Sequence, residues 1–369
     1  MADHNAAPVP TAVDDLDALD DLDALEEAAD AVVPPPDPDP QPPAPVDEPQ
    51  ARAKALLRAH PLIDGYSGLA PVLQSMHWCD LEAGEGLLET DVPRLRRGGV
   101  GAQFWSLQAP APTVGAPSLA ATLELIDLVR ATVNDCPEGL RLALSTDDLM
   151  DIRNCGRIAV LLGPMAGAAL GHSLATLRAV YALGVRSVAL AGTRWTESGG
   201  LAPFGHELVR EMNRLGVLVD LSGCSLDTVR RTLALTKAPV LFSHQSEPLP
   251  EDVLRSLRAN HGVCMVMCTA GSLPETADLL DRIRAAAGPE SVALSGAYDT
   301  GVPHAAALQD ISCVPRLIAE LLERGWPEAD IAGLTWSNVV RVLRDTEFAA
   351  RAAQSRRMPS RSAIGAPDL

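Results

Sequence analysis

Residues 158–190 read IAVLLGPMAGAALGHSLATLRAVYALGVRSVAL. The first six residues form a short, continuous apolar run, the length of a buried strand. SLATLRAVYALG at 173–184 repeats its apolar residues at helical spacing, and VRSVAL at 185–190 is a second strand-length run. Strand, helix, strand in that order is the signature of a parallel β-α-β unit.

Working outward, the same alternation recurs. Strand candidates lie at 62–64 (LID), 100–107 (VGAQFWSL), 216–221 (GVLVDL), 239–243 (PVLFS), 262–268 (GVCMVMC) and 291–296 (SVALSG), which with 158–163 and 185–190 makes eight. Helical patterns at 203–216 and 225–235 follow two of them, and 314–325 and 328–346 read as two closing helices. Eight strands with intervening helices predict an α/β fold, a (β/α)8 TIM barrel, with any active site at the C-terminal strand ends. A doubly wound open sheet is the alternative, but no glycine-rich phosphate turn follows the first strand.

Three segments are expected: a disordered acidic, proline-rich tail over 1–50, the barrel over 51–350 and a flexible C-terminal tail over 351–369. Residues 1–50 hold fourteen Asp or Glu, eleven Pro and no Lys or Arg, so they carry fourteen of the eighteen net negative charges. Such a segment offers too little apolar surface to offset the entropy of ordering. The hexamer DDLDAL occurs at 14–19 and again at 20–25. It is read either as a solvated tail or as a short helix at 14–27 that folds on a basic protein partner. No linear segment clusters Lys and Arg, which argues against nucleic acid as a partner. Without a basic start and apolar run at the N-terminus, or a stretch of membrane-spanning length, a cytoplasmic location and no membrane partner are expected. Seven cysteines, an odd number without C-x-x-C spacing, suit reduced and mostly buried thiols.

HPLIDG at 60–65, TDVPRLRRGGVGAQFWSL at 90–107, the helix and strand at 173–190, GLAPFGHELVREMNRLGVLVDLS at 200–222, APVLFSH at 238–244, LIAELLERGW at 317–326 and NVVRVLR at 338–344 together resemble the membrane (renal-type) dipeptidase family. These are TIM-barrel hydrolases of dipeptides that use two zinc ions. The resemblance spans about His60 to Arg344. Where it implies metal or acid-base residues, this chain has Tyr66 and Gly68 after the first strand, Met165 after the third, Gly223 after the fifth, His244 after the sixth and Ala297 after the eighth. Only His244 matches. A thioether is a poor substitute for a bridging carboxylate, and glycine or alanine supplies no donor. On this basis no metal cofactor is expected and the chain reads as a binding or regulatory scaffold. Two alternatives stay open: a metallodipeptidase acting as the family does, and a metal-independent biosynthetic enzyme reusing the pocket.

The candidates for chemistry are His244, Tyr66, Cys224, Tyr298 and Asp299. Cys224 or Cys268 near His244 would make a nucleophile pair, and Arg194 would replace an arginine that the resemblance places on the substrate carboxylate. Asp64 and Asp220 are expected to order loops. The five positions Tyr66, Met165, Gly223, His244 and Ala297 are expected to converge on a small, mostly apolar cavity for a small-molecule or peptide ligand. Homodimer formation is left open.

Overall fold

The computed structural model describes residues 48–76, 79–84, 86–108, 115–197, 200–268 and 271–360. The acidic repeats and most of the N-terminal segment lie outside the described residues, as does 361–369. No helix among the described residues is long and apolar enough to cross a membrane.

Among the described residues nine parallel strands form one sheet: β1 (Leu62–Ser67), β2 (Val100–Leu107), β3 (Leu140–Leu142), β4 (Ile158–Ala166), β5 (Ser187–Ala189), β6 (Leu218–Asp220), β7 (Val240–Gln245), β8 (Val263–Met267) and β9 (Val292–Ser295). Eight of them run in the order β1-β2-β4-β5-β6-β7-β8-β9, and β3 pairs with β4 off that path. The ring closes just beyond β9, where Ser67 bridges Tyr298 in parallel, Gly68 N donates to Tyr298 O at 2.8 Å and Ala297 N donates to Tyr66 O at 3.0 Å. All eight predicted strands are present on the barrel path. β3, with only LRL to announce it, is an addition.

Helices follow most strands, and their ends are specified locally. Ser173 accepts from Thr176 N, Ser225 accepts from Thr228 N, and Ser272 and Glu275 form a reciprocal capping box, each satisfying amides that the first helical turn leaves unpaired. Pro203–Leu215 stops at Gly216, whose φ of 85° is easy only for glycine. The final segment continues past Ala350, with Asn338–Gln354 helical, Arg357 paired to Glu207 at 2.8 Å and Arg178 donating to Ser360 O at 2.6 Å.

Two layers of core result. The larger lies between the sheet and its helices and includes Trp105, Leu107, Met165, Val188 and Phe242. The smaller includes Ile63, Phe104, Leu161, Leu218, Leu241 and Met265, and it continues into Trp336, Val339 and Leu343 near the end of the chain. Those last residues close the N-terminal end of the barrel: Thr335 Oγ1 donates to His60 O just before β1, and Asn338 Nδ2 donates to Val292 O at the start of β9. The opposite, C-terminal end is left to the loops, which is where chemistry sits in this architecture.

Candidate active site at the C-terminal mouth

β6 and β7 end side by side and bring Asp220, Ser222, Ser243 and His244 together. The buried Asp220 carboxylate accepts four hydrogen bonds: from Ser222 N (3.0 Å), Ser222 Oγ (2.7 Å), Ser243 N (3.1 Å) and Ser243 Oγ (2.6 Å). Ser243 Oγ lies 2.7 Å from His244 Nδ1, and Ser222 Oγ accepts from His244 N at 3.2 Å. A hydroxyl has one proton. With that of Ser243 given to Asp220, its oxygen can only accept from Nδ1, so neutral His244 carries its proton on Nδ1 and keeps a lone pair on Nε2. Burial pulls the His244 pKa down while the Asp220 charge pushes it back up, and the first effect prevails. The imidazole is therefore uncharged at neutral pH.

Tyr66 packs its ring on His244, with centroids 4.5 Å apart. Its hydroxyl accepts from Ser106 Oγ at 3.1 Å, which leaves its own proton available to a ligand. Burial raises its pKa, so it stays a phenol. Beneath it, Asp64 is fully enclosed and accepts from Gln103 Nε2 (2.8 Å) and Gly296 N (2.6 Å), and Gln103 Oε1 accepts from Trp105 Nε1 at 2.8 Å. Desolvation raises the Asp64 pKa to about 6, against the lowering effect of those hydrogen bonds. Asp64 and Asp220 thus order the strand ends.

The other expected site residues are placed as follows. Tyr298 is buried and donates to Leu308 O at 2.9 Å. Asp299 accepts from Glu89 N at 2.9 Å and from Thr90 Oγ1, tying the 86–90 loop to the barrel rim. Both therefore serve loop packing. Cys224 is half-buried, and desolvation pushes its thiol up to about 12; Cys268 is buried and also reaches about 12. Neither is a thiolate near neutral pH, which removes the basis for a Cys/His nucleophile pair. Arg194 is exposed on the short helix Arg194–Glu197.

Of the five residues expected to line an apolar cavity, contacts join three. Tyr66, His244 and the Ala297 backbone do meet, but Met165 is fully buried in the core between sheet and helices, and Gly223 is exposed in the turn after β6. The polar contacts of His244 come from Ser222 and Ser243, and Ser106 holds the neighbouring Tyr66 hydroxyl. The serines carry no metal-ligand chemistry, and their only signal in the sequence is their place in the DLS and FSH triplets at 220–222 and 242–244.

The sequence profile of the membrane dipeptidase family, peptidase family M19, matches residues 50–357. Mouse Dipeptidase 3 is 37% identical over 331 residues, covering 80% of this chain; the chain spans 66% of that relative's length. Among solved structures, the probable dipeptidase PvdM of Pseudomonas aeruginosa superposes with a TM-score of 0.73 at 18% identity, over 82% of this chain and 99% of PvdM. A dipeptidase described as a metallo peptidase of family M19 gives 0.70 at 18% identity, over 77% of this chain and 98% of its own. At such identities the structural matches establish the shared fold.

These matches overturn the expectation of no cofactor, because the family is zinc-dependent and a solved neighbour assigned to it is described as a metallo peptidase. The residues at the six aligned positions do not, however, fit the family's paired zinc ions. A side chain at Gly68 has no room, since a Cβ there would lie 2.2 Å from the Asp299 carbonyl oxygen. Met165 is sealed in the core, and among the described residues no three His, Cys, Asp or Glu side chains are grouped to hold a metal ion. What the chain's own residues do provide is an oriented imidazole and a phenol at the barrel mouth. Fold, sequence profile and sequence identity agree that the chain belongs to the membrane dipeptidase family.

Proposed function

We propose that the chain is a dipeptidase-type amide hydrolase that takes dipeptide-sized ligands at the mouth beside His244. The reading is carried by one observation: the Asp220–Ser243–His244 chain leaves Nε2 as the basic nitrogen of an imidazole that packs on the Tyr66 ring, whose phenolic proton is free. In hydrolysis, His244 takes a proton from the attacking water and returns it to the departing amine, while Tyr66 donates to the carbonyl oxygen as charge develops there. Asp220, through Ser243, stabilises the imidazolium in between. The dipeptidase names of the sequence relatives support the substrate class.

A second reading, a scaffold that binds such ligands without turning them over, is favoured by the filled position at Gly68 and the buried Met165. One experiment separates the two. The purified protein is assayed for metal content, then incubated with L-L and L-D dipeptides with and without added zinc, beside His244→Ala. Turnover of about one per second or faster, lost in the variant, supports hydrolysis; saturable dipeptide binding without turnover supports the scaffold.

A further inference from the structure

At the end of the barrel opposite the mouth, three chain segments far apart in sequence meet around a cavity of about 450 Å³. The helix Glu48–Ala59 contributes Lys54 and Arg58, the helix Val92–Arg97 contributes Arg96 and Arg97, and the helix Thr146–Asn154 with its following turn contributes Arg153 and Arg157. Among the described residues that line it there are six cations and no acid. Leu57 and Pro61 give it an apolar side. The volume falls within the usual range for small-molecule sites.

The simplest explanation for such arginines is that they answer the partial negative charge of the three helix C-termini that end here. One member of the set does this: Arg153 donates to Ala59 O, the last residue of the first helix, while lying over the Trp336 ring at 4.9 Å; Arg96 instead donates to Glu138 O, in the turn before β3, at 3.1 Å. The charge count is not closed by it. Three helix ends supply roughly 1.5 negative charges, and the nearest carboxylate, Glu138, stands 3.8 Å from Arg157 and is mostly exposed. Roughly three positive charges are left over. Lys54, Arg58 and Arg97 are exposed and have no hydrogen-bond or ion-pair partner among the described residues. The surplus sits on a chain whose net charge is −18. A concave cluster of like charges with unused guanidinium forks is costly unless an anion occupies it, and those forks match phosphate oxygens two at a time.

We propose that this cavity is a binding site for a phosphate-bearing ligand, separate from the mouth and built from Lys54, Arg58, Arg96, Arg97, Arg153 and Arg157. The ligand chemistry is the phosphate group itself, supplied either by a soluble phosphate compound or by a phospholipid headgroup. No linear segment announces the site, because each contributes only two cations.

The test uses the full chain at low ionic strength, titrated calorimetrically with inorganic pyrophosphate and, separately, sedimented with phosphatidylglycerol and phosphatidylcholine vesicles. Pyrophosphate binding that falls with added salt and weakens tenfold or more in Arg58→Glu/Arg97→Glu is expected, with Lys54→Ala, a milder change at an exposed position, weakening it severalfold. Arg255→Glu, a single charge reversal at an exposed position on the helix Glu251–Ala259 away from the cavity, should leave it unchanged. Retention on phosphatidylglycerol vesicles alone, lost in the same double variant, would support the site and assign the phosphate to a headgroup. Absence of binding to both probes, affinity indifferent to the double variant, or equal weakening by Arg255→Glu would overturn the proposal.

Discussion

The carbonyl oxygen of Asp299 occupies the place where a side chain on Gly68 would begin: a Cβ built there lies 2.2 Å away, with the carbonyl carbon at 2.8 Å. The obstacle is backbone, and Asp299 is itself held in the left-handed region at φ 57°, so neither partner can step aside without disturbing the closure of β1 on the residues after β9. Gly68→Ala should therefore destabilise the protein by about 2–4 kcal/mol. Chemical denaturation measures this, and a change under about 0.5 kcal/mol would show that the contact is not rigid.

Ser243 is predicted to set the tautomer of His244. In Ser243→Ala the Nδ1 proton loses its acceptor, and ¹⁵N shifts of the imidazole should move from a dominant Nδ1–H form toward a mixture. Any activity dependent on His244 should fall about tenfold or more, with Ser243→Thr retaining most of it. An unchanged tautomer in the alanine variant would remove the relay from the mechanism.

Asp64 gives the fold a pH dependence of stated sign. Its pKa rises to about 6 in the folded state because burial disfavours the charged form, against 3.8 when unperturbed. A group with a raised folded pKa adds stability below its unfolded value and loses it as pH climbs through the folded one. The stability of Asp64→Asn relative to wild type should accordingly improve by about 1–3 kcal/mol between pH 4 and pH 8. Denaturant midpoints at the two pH values test it; a constant difference would place Asp64 in a wetter setting.

Met165 offers a contrast between shape and charge. Met165→Leu keeps volume and should cost under about 1.5 kcal/mol, whereas Met165→Glu places a carboxylate in a sealed apolar layer and should cost more than about 3 kcal/mol or prevent folding. Thermal melts of the two proteins suffice. A Met165→Glu variant as stable as wild type would mean that the side chain can reach solvent at the mouth.

Much of this architecture was legible in the sequence, for reasons that differ by residue. Val100–Leu107 was readable because a strand-length, β-branched- and aromatic-containing run follows the turn signal Gly98-Gly99, and the structure buries all eight of its residues. β3 was not, since three residues with an exposed Arg141 carry no periodicity. At the mouth, His244 and Tyr66 were found as residue types, but the hydroxyls that orient them were not. A serine advertises nothing until the fold shows which carboxylate it touches. The basic cavity was invisible for a related reason: Lys54, Arg97 and Arg157 become neighbours only when the bottoms of β1, β2 and β4 are adjacent.

The closure of the ring across Ser67 and Tyr298, and the bond from Thr335 to His60, also govern how the chain can be made. As the polypeptide leaves the ribosome, β1 emerges early and pairs with β2 on one side, yet the partner for its other side is more than two hundred residues behind. Until then the growing barrel is an open sheet with an apolar, unpaired edge, the form of intermediate most prone to association. Release of the chain before Tyr298 is synthesised should yield insoluble fragments, and completion of Thr335 should coincide with the first appearance of protease-resistant protein.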